Sequence, residues 1–514
     1  MPKTPSTKLF NLIKSLSGSE KRYFKVFVSS RQSDKESKYT RLFDAIEEQN
    51  ELDEEALKKR IYADEKIESR KYSELKSYLY DLILKSLHGY DEKTSIDFRL
   101  KNLLQNVRVL YKRSHYLECM EMLAKAKKLA YRYENFICVV EILSWEKQVA
   151  YAQENIEFLD SQLDRIDEEE KDCLEQVRNI STYRNILYQL IISRRKDAVL
   201  RSELKVKKLN TIMGNPVLEK IEQARSHRAR ILYYRIYSNY SYSILKYNNF
   251  YEYSLQLVEL METRKDLLKE EVSGYIFAMT NLMLACGLLG KYTELESYLE
   301  DFKSIKVQTL DDELRVFKLY NNLKFRLCIV SGEFEEGLKA LKKHLKETKK
   351  YDPQSFERGT FYFQYFYIYF GIEDYEKALE YLNQWLNLPR SVEREDLQSL
   401  ARILNLIIHY EMDNSILLEY LIRSTYRFLK KRNRAFEFEK QILNFIQKAI
   451  KIQSKKELKK AFQNLKEDFE KLLEIPSEKV MLQYFDIISW VDSKILDQPF
   501  SEVLKAGFQK TNLK

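Results

Sequence analysis

The sequence predicts an all-α protein built as an α-solenoid of helical hairpins, with a separate helical domain at its amino-terminal end. Glycine (11) and proline (7) together supply only 18 of the 514 residues, too few for the turns of a sheet-rich protein. A repeat of about 42 residues also runs through most of the chain. Repeats of this length are typical of stacked pairs of helices, each contacting only its neighbours.

The repeat is clearest at four aromatic anchor positions, which are 42, 42 and 41 residues apart. These anchors are Phe250, Tyr292, Phe334 and Tyr375. Apolar or small residues recur three and seven positions after each of these anchors, which is the spacing of one helix face. Weaker anchors continue the period on both sides, at Tyr116, Phe158, Leu200, Leu417 and Leu458.

Two glycines indicate how each unit is built. Gly290 and Gly332 stand two residues before the anchors Tyr292 and Phe334, where a residue in the left-handed conformation ends a first helix. Each unit is therefore predicted to be a helical hairpin. One step of the period is longer, at 50 residues, and it contains Gly214-Asn-Pro216, which favours a longer loop.

The period divides the chain into three parts. Residues 96–475 are predicted to form the solenoid, with about nine hairpins. Residues 1–95 do not join the repeat and are predicted to form a helical cap domain, since the end of a solenoid exposes an apolar face. Its helices are predicted near residues 6–17, 19–30, 39–49, 53–62 and 70–89. Residues 476–514 are predicted to be a capping helix and tail.

The unit around Tyr375 resembles the tetratricopeptide repeat family. Tyr375 matches the aromatic residue at the family's helix turn, Ala378 matches its small residue, and Tyr369 matches the aromatic residue of its first helix. The period of about 42 residues exceeds the family's usual 34 or so, so the chain resembles a long-repeat variant. The resemblance implies a right-handed superhelix whose first helices line the concave side.

A column of side-chain amides follows the same period. It lies 11 or 12 residues before successive anchors and consists of Asn239, Asn281, Asn322, Gln364, Asn405 and Gln447, with Gln105, Gln148 and Gln189 near the same place in earlier units. An amide is both a donor and an acceptor. The column therefore has two interpretations, either bonds that tie neighbouring first helices together or contacts to the main chain of a bound segment.

The resemblance implies that residues one before and three after each amide face the concave groove. Aromatic walls with a few polar and basic groups suit a peptide or helix better than a nucleotide. The predicted partner-binding residues are Asn239, Tyr242, Asn281, Asn322, Phe325, Arg326, Phe363, Gln364 and Tyr367. Core packing is the alternative for the aromatic members, above all in Phe361–Phe370, which has eight aromatic side chains in ten residues.

Positive charge is concentrated near the carboxy-terminal end of the repeat. Residues 423–460 contain 13 basic and 3 acidic residues, so the rest of this chain of net charge +9 is nearly neutral. The candidate basic patch consists of Arg427, Lys430, Lys431, Arg432, Arg434, Lys455 and Lys456. A patch of this kind attracts phosphate backbones or an acidic protein, although charge runs also serve simply to solvate helices.

Several classes of site have no candidate residues. There is no glycine-rich phosphate loop and no HExxH motif, and the five histidines lie in separate segments. The five cysteines are scattered without a CxxC pair and are predicted to be core residues. No nucleophile motif is found. We therefore expect a protein that is not an enzyme and has no cofactor or metal.

No stretch of the sequence approaches the run of about 20 apolar residues that a membrane span needs, so we expect no membrane partner. The first residues lack the apolar core of a secretory signal, and we expect a cytoplasmic protein. The leading hypothesis is a scaffold that binds a protein or peptide segment in its groove. The alternative is a transcriptional or RNA-associated regulator that uses residues 1–95, with a candidate helix-turn-helix at 54–80, or the basic residues 423–460. In this alternative the solenoid acts as a sensor.

Overall fold

The computed structural model describes residues 7–30, 38–49, 51–62, 69–196, 203–307, 309–351, 355–356, 359–388, 395–431, 437–475 and 484–512. Within these ranges the protein consists of 25 α-helices and contains no strand. The helices pack in neighbouring pairs along the chain. The prediction of an all-α protein is therefore confirmed.

The first five helices share one hydrophobic core. They are α1 (Lys8–Ser15), α2 (Gly18–Ser29), α3 (Lys38–Glu48), α4 (Glu54–Tyr62) and α5 (Ser69–Thr94). Phe24 of α2 stacks on Phe43 of α3 at 4.5 Å between ring centroids, and both side chains are fully buried. Helix α2 starts at a capping box in which Ser17 and Glu20 each accept the other's backbone N–H. The five predicted helices are confirmed, with ends that differ by a few residues.

The next five helices contain one departure from the predicted hairpins. They are α6 (Ile96–Tyr111), α7 (Tyr116–Arg132), α8 (Phe136–Ala152), α9 (Ile156–Lys196) and α10 (Glu203–Met213). A strict hairpin period would place a break inside α9, but α9 runs without interruption for 41 residues. It contains no glycine or proline, and ion pairs one turn apart, such as Arg165 with Glu169, support the continuous helix.

Thirteen further described helices cover the region of the four clear anchors and the basic residues. They are α11 (His227–Ser243), α12 (Tyr247–Thr263), α13 (Lys265–Glu270), α14 (Val272–Leu289), α15 (Tyr292–Lys303), α16 (Leu310–Ser331), α17 (Phe334–Glu347), α18 (Gly359–Gly371), α19 (Tyr375–Leu386), α20 (Glu395–Glu411), α21 (Ser415–Lys431), α22 (Glu437–Ala449) and α23 (Lys455–Leu472). The loop before α11 holds two short 3-10 turns, at the place where the longer loop is predicted.

The anchor positions coincide with helix starts. Helices α7, α15, α17 and α19 each begin at their anchor residue, and the anchors Phe158, Phe250, Leu417 and Leu458 lie within the first four residues of α9, α12, α21 and α23. The anchor Leu200 lies outside the described residues. The sequence period therefore marks where second helices begin, because it follows the hydrophobic residues that each new helix turns inward.

The turns that precede seven of these eight helices, all except α23, share one backbone conformation. Gly290 and Gly332 have φ values of 74° and 72°, so the prediction that they end their helices in the left-handed region is confirmed. Five other turns use a different residue type at positive φ in the equivalent place: Ser114, Glu154, Leu245, Glu373 and Asp413. The following residue usually donates a hydrogen bond five positions back, as from Lys291 N–H to the Cys286 carbonyl.

Helix α18 contains the aromatic run and is enclosed by protein. Six of its eight aromatic side chains are at most 5% exposed, and only Tyr362 and Phe363 are half-buried. It packs against α16, α17 and α19. His344 of α17 is fully buried among the surrounding rings, and its Nε2 lies 2.7 Å from the Tyr365 hydroxyl.

One expectation about apolar segments was wrong. Helix α14 (Val272–Leu289) has no charged residue and a mean hydropathy of 1.6, and among the described helices it alone is long and apolar enough to cross a membrane. It packs against α12, α15 and α16, and Ile276, Leu282 and Cys286 are fully buried there. All five cysteines are buried and unpaired, as predicted.

Candidate binding groove

The last described segment, residues 484–512, folds back over the helices that are predicted to line the groove. We call this segment the strap. It consists of Tyr484–Asp486 followed by α24 (Ile487–Leu496) and α25 (Phe500–Asn512). Contacts of the strap lie on α15, α16, α17, α18, α20 and α23. A capping helix and a tail are predicted here, whereas the structure has two helices and a path across several hairpins.

The strap places two phenylalanines against the aromatic helix α18. Phe485 and Phe500 are 2% and 5% exposed, and they lie 5.9 Å apart between ring centroids. Both contact the ring of Tyr367, at 5.0 Å and 6.2 Å. The backbone N–H of Asp486 donates to the Tyr367 hydroxyl at 3.0 Å. Burial, and secondarily the Asp486 charge, raises the pKa of Tyr367 far above its ordinary value, so this hydroxyl stays neutral.

Helix α24 is held by a buried carboxylate at the end of α20. Glu411, 7% exposed, accepts hydrogen bonds from the Trp490 indole N–H at 2.6 Å and from Lys494 Nζ at 2.5 Å. Trp490 is 1% exposed and lies against Phe462 of α23. An ion pair between Lys466 and Asp492, at 2.7 Å, connects α24 to α23 as well. Buried charges need partners of this kind, and here they connect three elements.

Helix α25 crosses the turns of three hairpins. Phe500 at its start contacts Phe334, Tyr367 and Phe370 at 6.0, 6.2 and 5.6 Å between ring centroids. Further along, Lys505 pairs with Glu333 at 3.2 Å in the α16–α17 turn. Phe508 lies 4.7 Å from the Tyr292 ring at the start of α15. The helix therefore runs opposite to the order of the hairpins, from α18 back to α15.

A glycine lets α25 pass close to the α16–α17 turn. A Cβ at Gly332 would lie 2.8 Å from the Ser501 carbonyl oxygen and 2.9 Å from the Lys505 backbone nitrogen. Real Cβ atoms do not approach backbone atoms this closely. Gly332 thus has two roles, since it takes the left-handed conformation that ends α16 and it leaves room for the backbone of α25.

The predicted aromatic groove residues lie in two environments. Phe363 contacts Tyr484 of the strap at 6.5 Å and Trp385 of α19 at 5.3 Å, and Tyr367 lies under Phe485 and Phe500 as described. Tyr242 is half-buried against Phe250 of its own hairpin. Phe325 is fully buried beside His344 and Tyr365, so in this structure it belongs to the hydrophobic core.

Two amides of the column donate hydrogen bonds to backbone carbonyls of the repeat helices. Gln364 is 5% exposed, and its Nε2 donates to the Asn322 backbone carbonyl on α16 at 2.8 Å. This bond connects two neighbouring first helices, which is the structural interpretation of the column. The side chain of Asn239 donates to the Arg235 carbonyl one turn earlier in its own helix, at 2.8 Å.

Other amides of the column are free for a different role. Among the described residues, the side-chain amides of Asn281 and Asn322 have no hydrogen-bond partner, and both are half-buried on the adjacent helices α14 and α16. The amide oxygen of Asn405 is buried without a partner in the described part of the chain. The remaining amides are exposed: Gln105, Gln148, Gln189 and Gln447.

Two arginines lie among the predicted first helices. Arg326 is half-buried; burial raises the pKa values of the Tyr247 and Tyr292 hydroxyls, and the charge of Arg326 acts in the opposite direction. Arg235 lies over Gly274, where a Cβ would be 2.4 Å from its Nη2. Burial lowers the pKa of Arg235, and its Nη2 has no hydrogen-bond partner in the described residues.

The described members of the basic patch lie on two helices. Arg427 and Lys430 are exposed near the end of α21, and Lys455 and Lys456 are exposed at the start of α23. Helix α22 lies between the two groups in the chain. Lys431 ends α21, and Arg432 and Arg434 lie outside the described residues. The basic patch therefore stays a prediction.

Two of the three basic side chains predicted on the second helix of the candidate helix-turn-helix form ion pairs. Arg70 forms an ion pair with Glu74 at 3.0 Å, and Lys76 pairs with Glu54 of α4. Lys71 is exposed. Paired cations of this kind leave little net positive charge on α5 for a phosphate backbone.

Comparisons with family models, curated proteins and solved structures return no match to this chain. The described residues contain no group of histidine, cysteine, aspartate and glutamate that could hold a metal ion. The functional assignment therefore depends on the geometry of the strap and the helices beneath it.

Sequence reasoning missed the strap residues Phe485, Trp490 and Phe500. The signal was present, because one of only three tryptophans in the chain lies in this segment, and Phe500, Leu504 and Phe508 recur every four residues. An amphipathic helix after the last repeat has an apolar face that must be covered by something. The sequence does not say which surface covers it.

Proposed function

We propose that this protein is a cytoplasmic, non-enzymatic scaffold that binds a helical segment of another protein along its first helices. In this proposal the hairpins stack as an α-solenoid similar to tetratricopeptide repeats, as the resemblance around Tyr375 implies. Five buried, unpaired thiols are typical of proteins in reducing compartments.

One observation carries the proposal. A segment of the chain itself already lies on the predicted groove residues Phe363 and Tyr367, through Tyr484 and the buried Phe485 just before α24 and through the buried Phe500 at the start of helix α25. A surface that accepts one amphipathic helix has the shape and the apolar character to accept another. Recognition of a helix through aromatic anchors is a common mode of peptide binding.

The amide column supplies polar contacts in this proposal. Asn281 and Asn322 have no hydrogen-bond partner in the described residues, whereas Gln364 is engaged between helices. We therefore assign Asn281 and Asn322 to the partner and Gln364 to the scaffold. An amide that bonds a partner's main chain adds affinity without requiring a particular partner side chain.

The test is capture from the native lysate with and without nuclease treatment, with mass spectrometry of the bound proteins and staining of the bound nucleic acid. The wild-type chain is compared with Asn281→Ala/Asn322→Ala and with the matched control Gln105→Ala/Gln148→Ala, which removes two exposed amides from earlier hairpins. We expect at least one protein whose recovery falls about tenfold or more with the first variant only, since two lost hydrogen bonds of about 1 kcal/mol each reduce affinity by that order.

Helix content of both variants, measured by circular dichroism, should equal that of the wild type. Recovery of the same proteins in the same amounts with all three chains would contradict the proposal. Capture of nucleic acid alone, removed by nuclease, would instead support the regulator that uses residues 1–95 or 423–460.

A further inference from the structure

We propose that α25 can be displaced from its site and that the surface beneath it binds a partner helix with the same pattern as α25. That pattern is an aromatic residue, then an aliphatic residue four positions later with a basic residue beside it, and then a second aromatic residue four positions after the aliphatic one. This inference rests on the proposed scaffold function. It specifies which surface the partner uses and what chemistry the partner's helix presents.

The pattern is taken from the contacts of α25. Phe500 and Leu504 are 5% and 6% exposed, and Phe508 is half-buried against Tyr292. These residues are four positions apart and form one stripe along the helix. Lys505 stands beside the stripe and reaches Glu333. The opposite face is exposed and includes Glu502, Gln509 and Lys510.

The receiving surface is complementary to such a helix. It offers an aromatic pocket for the first ring, formed by Phe334, Tyr367 and Phe370. It offers a carboxylate, Glu333, for the cation. Gly332 has no side chain, so the backbone of a bound helix can contact the α16–α17 turn at this position. These features come from consecutive hairpins, so the site depends on their stacking and not on one helix pair.

The two strap helices differ in how firmly they are held. In α24, Ile487, Trp490 and Val491 are at most 1% exposed, and Glu411 binds both Trp490 and Lys494. In α25, the ion pair of Lys505 with Glu333 is largely solvated, and exposed pairs of this kind contribute little. We infer that α24 remains bound when α25 leaves.

Local features of α25 also favour its release. It is 13 residues long, and helices of this length are marginal once they lose their packing. Gly507 lies within it, and a glycine inside a helix lowers the stability of that helix relative to alanine. The connection from α24 runs through Asp497, which has a left-handed φ of 56°, to Pro499. In this proposal these residues act as the hinge that allows α25 to dissociate from the surface.

The first test uses a fluorescein-labelled synthetic peptide with the sequence of residues 498–512 as a stand-in for the partner helix. Its affinity is measured by fluorescence anisotropy for the full-length wild type and for full-length Phe500→Ala/Phe508→Ala. We call this variant the released variant, because its tethered helix loses both rings. We expect the variant to bind the peptide at least tenfold more tightly, because the tethered α25 of the wild type competes at a high effective concentration.

Three controls define the site. A peptide that lacks both rings should bind neither chain. The chain variant Gln509→Ala/Lys510→Ala, altered only on the exposed face of α25, should bind the peptide as weakly as the wild type. Adding Glu333→Lys to the released variant should weaken binding at least fivefold, because it places a like charge opposite Lys505 of the peptide. Equal affinity of the wild type and the released variant would overturn the proposal.

The second test needs no substitution. In hydrogen exchange of the wild-type chain, we expect the amide hydrogens of α25 to exchange at least tenfold faster than those of α24. Equal protection of both helices would overturn the displaceable role of α25.

The two proposals fail in different ways. If the peptide does not bind the released variant while the Asn281 and Asn322 variant still loses a captured protein, the scaffold function stands and the site under α25 is rejected. If neither effect is seen, both proposals are rejected.

Discussion

The hairpins α6–α9 and α16–α20 follow the same sequence period but present different surfaces. We call α6–α9 the open half of the repeat and α16–α20, over which the strap lies, the covered half. In α6–α9 the amide positions Gln105 and Gln148 are exposed. In α16–α20 Gln364 is 5% exposed and bonded across helices, and the strap lies over the aromatic residues beside it. The comparison teaches that a repeat period determines where helices begin, while burial depends on what later segments pack on top.

The largest effect is expected from removing the main anchor of the covered half. Trp490→Ala deletes a ring that is 1% exposed and a hydrogen bond to the buried Glu411, which should destabilise the folded state by about 3–5 kcal/mol locally. The measurements are the thermal unfolding midpoint and the hydrogen exchange of α20 and α24. The matched control is Leu496→Ala, at an exposed position of the same helix. If both variants unfold like the wild type, α24 does not stabilise the covered half.

The second prediction concerns the pH dependence of stability and involves His344 of the covered half. Burial lowers the pKa of His344 to about 4 from its ordinary value near 6.5, so the folded protein keeps this imidazole neutral while the unfolded chain binds a proton. As the pH falls below 6.5, proton binding stabilises the unfolded chain relative to the folded one. The free energy of unfolding therefore decreases until about pH 4. The expected loss across that range is about 3 kcal/mol.

This loss should be absent from His344→Phe, which keeps a ring among the surrounding aromatic residues. The measurement is the guanidinium midpoint at pH 7.0, 5.5 and 4.5 for both chains, and the difference between them isolates His344 from other titrating groups. A difference between wild type and His344→Phe that does not change with pH would show that His344 is protonated equally in both states.

The smallest effect compares equivalent amides directly. Gln364→Ala removes a buried hydrogen bond between first helices and should lower the free energy of unfolding by about 1–3 kcal/mol. Gln148→Ala, at an exposed position of α8, should change it by less than about 0.5 kcal/mol. Denaturant titration of both variants measures the difference. Equal losses would mean that the column has one structural role throughout, and the contrast between the halves would be lost.

Much of the helix layout could be predicted from local signals. The anchors Tyr292, Phe334 and Tyr375 each begin a helix, and Gly290 and Gly332 end the preceding ones. Other turns were not recognisable individually, because residues such as Leu245 and Glu373 take the left-handed conformation without being glycine. Their turns are imposed by the packing of the flanking helices.

Less of the candidate site than of the helix layout could be predicted from the sequence. The column of amides was visible, but the difference between Gln364, which bonds a neighbouring helix, and Asn281, which has no partner in the described residues, depends on side-chain position. Phe325 follows the groove pattern of the resemblance and lies in the core instead. A long helix such as α9 also escaped the period, because local ion pairs and the absence of breakers allow it to continue.

The sequence by itself determined that this protein is helical and that its second helices begin at regular intervals, because both follow from interactions between residues a few positions apart. Only the tertiary structure decided that residues 484–512 return to cover the aromatic helix α18. That contact joins Tyr367 to Asp486, residues 119 positions apart. Hydrophobic burial has no preferred direction, so the apolar face of a helix reveals that it must be covered and not which surface covers it.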